Sequence, residues 1–164
     1  MGKKIFHTCY AAHRAFTKEQ WHDYLTNEER IKKQVGKYIV NECDIVLNPD
    51  VVHFEVHKVW CYANIEWADF GNGWFAYGID AVAYNGGSCS FGVSYIDDEC
   101  AHLEWKRRYA ARSKKECLMA ACDLLVSQLI DHDTTHPNTK RLIQMIKDYK
   151  KELSQPKVVQ LELF

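Results

Sequence analysis

The chain has little of what announces chemistry from sequence alone. None of its seven cysteines, at 9, 43, 61, 89, 100, 117 and 122, forms a Cys-x-x-Cys pair. No glycine-rich loop suited to cradling phosphate is present, because Gly71-Asn72-Gly73 and Gly86-Gly87 read as hairpin turns. No apolar run approaches the ~18 residues of a membrane span, so a membrane is not an expected partner. Repeats and low-complexity tracts are absent. The formal net charge is only −1, so bulk electrostatics attract neither nucleic acid nor an anionic membrane, and any such partner has to be met by a local patch. An odd cysteine count without a secretory leader points to a reducing cytoplasm and not to a disulfide framework.

What the chain has in quantity is apolar alternation. From Lys58 to Tyr95 the apolar residues fall on odd numbers: Val59, Cys61, Ala63, Ile65 and Trp67, then Phe75, Tyr77, Ile79, Ala81 and Ala83, then Cys89, Phe91, Val93 and Tyr95. Period-two alternation of this length predicts strands, and the Asn-Gly pairs between the runs predict tight hairpins. The expected fold is therefore α+β, with a three-stranded antiparallel meander covered by helices, a further C-terminal helix and a short tail. The even face mixes Trp60, Tyr62, Trp74 and Tyr84 with small polar groups. It reads either as a second packing layer under an amino-terminal helix or as a docking surface. Between Val52 and Val56 the apolar phase is even, so a bulge, a bend or a new strand is expected at His57-Lys58.

Residues 1 to 16 are compatible with a short strand or an irregular arm. A helix is predicted from Thr17, with Gln20 completing a capping box and Trp21, Tyr24, Leu25, Ile31, Val35, Tyr38 and Ile39 as its stripe, fading by Glu42 to Asp44. Asn48-Pro49-Asp50 predicts a turn. Ser113-Lys114-Lys115-Glu116 is a second capping box, opening an apolar helix to Ile130 that should be the main cover of the sheet. Asn138 is expected to cap a last helix facing inward through Leu142, Ile143, Ile146, Tyr149 and Leu153. Residues 1–153 then form one domain, and 154–164 a tether and peptide.

Candidates for catalysis or metal binding are sparse. His53, His57 and Cys61 share a strand face only if no bulge intervenes, and His132 and His136 lie in a breaker segment. Cys100 with His102, and Cys9 with His7 and His13, lack an orienting third group. Asp97, Asp98 and Glu99 read as a solvated acidic loop. No catalytic residue, metal or cofactor is expected, and the chain reads as non-enzymatic.

Two stretches carry more. Between residues 102 and 116, six basic residues (Lys106, Arg107, Arg108, Arg112, Lys114 and Lys115) stand against two acidic ones, Glu104 and Glu116. Lys114 and Lys115 open a helix, whose N-terminus favours phosphate, and Trp105 and Tyr109 interleave as potential base-stacking groups. The other reading is a solvated charged connection. The order helix, meander, helix, with Ser-Lys-Lys-Glu at the second helix, resembles the α-β-β-β-α double-stranded-RNA-binding fold over residues 17 to 131. That resemblance implies phosphate contacts from Lys114 and Lys115.

The second stretch is Gln160-Leu161-Glu162-Leu163-Phe164. It resembles the Gln-Leu-x-Leu-Phe peptide by which bacterial replication and repair proteins dock on the DNA polymerase sliding clamp, with Gln160, Leu161, Leu163 and Phe164 at the specified positions. Two leucines and a phenylalanine suit adjoining apolar pockets, and a tethered peptide docks at small entropic cost. The alternative is a closing strand, since Val159, Leu161 and Leu163 also alternate. The resemblance implies an accessory protein of DNA replication or repair, or of a phage or mobile element, that docks on the clamp and touches DNA or RNA weakly. The rival expectation is a protein-interaction module or an inhibitor of a host enzyme, with the tail closing the sheet.

Overall fold

The computed structural model describes residues 17–19 and 31–156. The peptide at 160–164, the predicted stripe at Trp21, Tyr24 and Leu25, the capping Gln20 and the Cys9 group all lie outside the described residues. Lys18 and Glu19 are helical, as a helix starting at Thr17 requires.

From Ile31 onward the predicted first helix is corrected. Ile31–Val35 (β1) and Tyr38–Asn41 (β2) form an antiparallel hairpin, with Val35 opposite Tyr38. Gly36 turns it with φ +57°, a conformation that glycine alone adopts without penalty. The β-branched and aromatic residues Val35, Tyr38, Ile39 and Val40 fit a half-buried pleat better than a helix, and tertiary cover lets that preference win.

Among the described residues the main sheet has five strands: Asp50–His57 (β3), Cys61–Asp69 (β4), Phe75–Val82 (β5), Ser88–Phe91 (β6) and Ala110–Ala111 (β7). Its order is β3-β4-β5-β6, with β7 also on β5, and every pairing is antiparallel. The phase change at His57-Lys58 is thus a new strand. β3 ends after a register shift between Glu55 and His57, the chain turns through 58–60, and β4 returns with Ala63 opposite Phe54.

The third predicted strand is cut short. β6 and β7 share one edge of β5, β6 opposite residues 79–82 and β7 opposite 75–76. Between them the chain leaves β6 and crosses Gly78, where an added Cβ would stand 2.4 Å from the Phe91 carbonyl oxygen and 2.7 Å from the Gly92 carbonyl carbon. Residues 93–95 then pair with the 44–46 loop: Val46 N–H donates to Val93 O at 2.9 Å and Tyr95 N–H to Asp44 O at 2.7 Å.

Among the residues from 31 to 156 three helices complete the fold: Glu104–Arg107 (α1), Lys114–His132 (α2) and Pro137–Ser154 (α3). Ser113 caps α2 by accepting from Glu116 N–H. The cap of α3 is His136, one turn position before Pro137, with its ring accepting from Asn138 N–H. Proline belongs at a first helical position, which moves the start ahead of Asn138. α2 lies over β5 and β4, and α3 over β3 and β4. The odd face of β4 and β5, the even face of β3 and the inner stripes of both helices bury Phe54, Ile65, Ile79, Leu118, Leu125, Leu129, Leu142 and Ile146 in one core.

The opposite face is covered at one end by the β1–β2 hairpin, where a helix was expected. Tyr38, Val40 and Val46 meet Ala68, Phe70, Trp74 and Ala76 there, sealed by Val93 and Ile96. The even-face aromatics separate accordingly. Trp74 is buried in this second core, whereas Trp60 and Tyr84 are exposed.

Candidate nucleic-acid interface

The basic stretch forms an elbow between sheet and helix. A turn starts it: Asp97 Oδ1 accepts from Cys100 N–H at 2.9 Å, and Leu103 N–H returns to Cys100 O. The single turn of α1 follows. Tyr109 O then accepts from Tyr77 N–H at 2.9 Å, and β7 adds to the sheet, which anchors the elbow against β5 before Ser113 opens α2.

This framework sorts the six basic residues. Lys106 faces inward and is 4% exposed. Its Nζ is ion-paired with Asp44 at 2.7 Å and lies 3.8 Å from the Cys100 sulfur. Lys106 is therefore withdrawn from the candidate nucleic-acid surface, because a one-turn helix docked on the second core has to point one of its residues into the protein. Arg112 is exposed but engaged. Its guanidinium lies 3.7 Å from the Trp74 ring centroid and pairs with Asp98 at 2.9 Å. Asp98 also accepts from Trp74 Nε1 at 2.9 Å, and these two bonds, the indole's first, hold its carboxyl below the ordinary range. Lys114 sits over the Trp67 ring at 4.4 Å, and Arg108 makes a 3.7 Å pair with Glu104 one helical turn away. Arg107 and Lys115 are exposed.

The aromatics sort in the same way. Trp105 is 55% exposed. Tyr109 packs on Phe91 at 4.5 Å and edge-on to Tyr77 at 5.8 Å, so it serves the core and is not available to stack on a base. The exposed set is thus Trp105, Arg107, Arg108, Arg112, Lys114 and Lys115. It can meet phosphate through exposed cations and offer one indole face.

The other sequence candidates have structural roles. The His57 ring accepts from Val59 N–H at 3.4 Å and Trp60 N–H at 3.3 Å, closing the β3–β4 turn, while Cys61 is buried. His53 Nδ1 lies 2.5 Å from Asn64 Oδ1 across the strands. His136 caps α3 and stacks on Tyr84 at 3.8 Å, and His102 meets Glu99 O at 2.9 Å. Asp97 and Asp98 bind the elbow and Trp74. Among the described residues no group of three or more histidine, cysteine or acidic side chains is gathered as a metal set. No helix among them is long and apolar enough to cross a membrane.

Two features were missed. Glu66 lies opposite Gly78, and Asp80 opposite Asn64, which makes the two carboxylates diagonal neighbours on the even face. Burial, and then the Asp80 charge, push the Glu66 carboxyl up to about 7. Strand alternation contained that signal, since both numbers are even. The Asp44–Lys106 pair, joining residues 62 apart, had no sequence signal. Asp44 has φ +61° in the loop after β2, and only the fold brings it to the elbow.

Comparison of the chain with protein-family models, curated proteins and solved structures returns no significant match.

Proposed function

We propose that this chain is a non-enzymatic accessory protein of DNA replication or repair, recruited to the sliding clamp through Gln160, Leu161, Leu163 and Phe164. In this reading it contacts nucleic acid weakly through Arg107, Arg108, Arg112, Lys114 and Lys115. The likeness to the double-stranded-RNA-binding fold is retained for β4, β5, β6 and α2 alone. The β1–β2 hairpin and α3 fall outside it.

The observation that carries the reading is the Gln-Leu-x-Leu-Phe pattern, and its position after α3 supports it. α3 ends at Ser154, followed by Gln155 and Pro156. Proline soon after a helix end prevents the helix from running on. A clamp that raises the local concentration of a weak binder to roughly the millimolar range makes a strongly basic surface unnecessary.

A specific observation favours the rival reading, a protein-interaction module. Three of the exposed cations have intramolecular partners, while Val59 and Trp60 project from the β3–β4 hairpin. One experiment separates the two. A peptide of residues 155–164 is titrated into purified bacterial sliding clamp, with a Leu163→Ala, Phe164→Ala peptide alongside. Micromolar binding lost in the variant supports recruitment by the clamp. Absence of binding by the native peptide rejects it and leaves the hairpin as the surface to pursue.

A further inference from the structure

Cys100, Lys106 and Asp44 meet beneath the elbow in a group that the proposed clamp and nucleic-acid contacts do not use. The Cys100 sulfur accepts the Asp97 backbone N–H at 3.3 Å and faces the Lys106 Nζ at 3.8 Å. On its other side Nζ meets Asp44 Oδ2 at 2.7 Å, with the lysine side chain 3% exposed and the aspartate 22%. Burial thus holds the amine against the sulfur, while the aspartate keeps a path to water. Cys100 is itself partly exposed, so a small oxidant can reach it.

The other described thiols lack this combination. Cys61, Cys117 and Cys122 are buried, and burial pushes the thiols of Cys117 and Cys122 up to about 12. Burial likewise raises Cys89. Cys43 is exposed, in the turn after β2.

We propose that Cys100 and Lys106 form an oxidation site, at which a peroxide drives formation of a covalent Sγ–Nζ bond. In the first step the sulfur attacks the peroxide, the O–O bond breaks, and Cys–SH with H2O2 becomes Cys–SOH with water. The sulfur gives up two electrons and the peroxide takes them. In the second step the lysine ammonium passes one proton through Asp44 to solvent. The free amine attacks sulfur, the S–O bond breaks, and the hydroxyl leaves with the second amine proton as water. The product is Cys–S–NH–Lys. The flexible four-carbon stem of lysine closes the remaining gap. The bond ties α1 to the 97–100 turn and takes the Lys106 charge from Asp44. A thiol reductant reverses it.

The test is a peptide map of the full folded chain after mild hydrogen peroxide treatment. The expected product is two hydrogens lighter, carries Cys100 and Lys106 in linked form, resists trypsin after Lys106, and reverts with dithiothreitol. Because the pair is only six positions apart in sequence, the same treatment in urea is the control. The folded chain should form at least about tenfold more link, since only the fold holds amine and sulfur together. Lys106→Arg keeps the cation opposite Asp44 but removes the amine, so Cys100 should then proceed to sulfinic acid. Complete cleavage after Lys106 in oxidised wild type, with Cys100 as sulfinic acid or in a disulfide, overturns the proposal. So does equal linking in urea. The wild-type map decides even if the arginine variant is unstable.

Discussion

Thr139 Oγ donates to Asp133 Oδ2 at 2.7 Å and accepts the Tyr84 backbone N–H at 3.1 Å, in a side chain with no exposed surface. One hydroxyl thereby links the start of the β5–β6 turn to the α2–α3 junction. Asp133 also accepts from Thr135 N–H at 3.0 Å and His136 N–H at 3.1 Å. These donors, Thr135 first and Thr139 next, hold its carboxyl down to about 2.

Thr139→Val keeps the shape and removes the hydroxyl, taking an acceptor from the Tyr84 N–H and a donor from the Asp133 carboxylate. The expected cost is about 1–3 kcal/mol in urea denaturation. A loss below roughly 0.5 kcal/mol would mean that the link carries no weight. The aspartate adds a pH signature. Its folded-state value lies below the ordinary 3.8, so its stabilisation is full above that pH and disappears as pH falls through about 2. Asp133→Asn should flatten this part of the acid limb; an unchanged acid limb would contradict it.

Gly78 gives a second test. Its Cβ would meet backbone, 2.4 Å from Phe91 O, which no side-chain rotation relieves. Gly71 has φ +70° and nothing within 4 Å, so alanine there meets conformational strain alone. Gly71→Ala should cost about 1–2 kcal/mol, and Gly78→Ala distinctly more, with loss of the β6 crossing. Equal denaturation midpoints for the two variants would show that the crossing relaxes freely.

The contrast between these glycines indicates what was legible in the sequence. Alternation at Cys61, Ala63 and Ile65 and at Tyr77, Ile79 and Ala81 placed β4 and β5 and their buried face, because a period of two is a local property. The Ser113 cap and the inward face of α3 were local too. Non-local competition decided the rest. Val35, Tyr38 and Ile39 satisfied a helical stripe on paper but lie in a hairpin turned by Gly36. The 88–95 alternation continues past Phe91, yet β7 takes the β5 edge that Val93 and Tyr95 would have needed. In the elbow, spacing gave six equivalent cations, and only the docking of α1 shows that Lys106 is an interior residue.

Glu66 should make the protein less stable as pH rises through neutrality. Its carboxyl is raised from 4.5 to about 7 by burial and then by Asp80. The folded chain therefore holds a proton that the unfolded chain has released, and stability declines from about pH 4.5 through 7 before levelling. Glu66→Gln removes the charge and should raise stability at pH 8 by roughly 1–3 kcal/mol, the lower values reflecting solvent screening of a group that is not fully buried. At pH 4 the two proteins should be nearly equal. Thermal melts at the two pH values check this, and a benefit that is the same at both would assign the effect to packing.

The elbow makes a prediction in which stability and binding separate. Lys106→Met removes the ion pair with Asp44 beneath α1, so unfolding should become easier by about 1–2 kcal/mol, less than for a fully buried pair because the aspartate reaches solvent. Nucleic-acid affinity per folded molecule should stay within about twofold, because the buried ammonium is not placed to meet a phosphate. Arg107→Glu with Lys115→Glu reverses two exposed charges, so stability should change by less than about 0.5 kcal/mol. Binding to a short fluorescent duplex or single strand should then weaken at least about tenfold at low salt, with a shallower dependence of affinity on salt. Fluorescence anisotropy across a salt series, paired with urea melts, reads both quantities. If Lys106→Met abolishes binding in a chain that remains folded, or if the double reversal leaves anisotropy titrations unchanged, the exposed face of the elbow is not where nucleic acid is met.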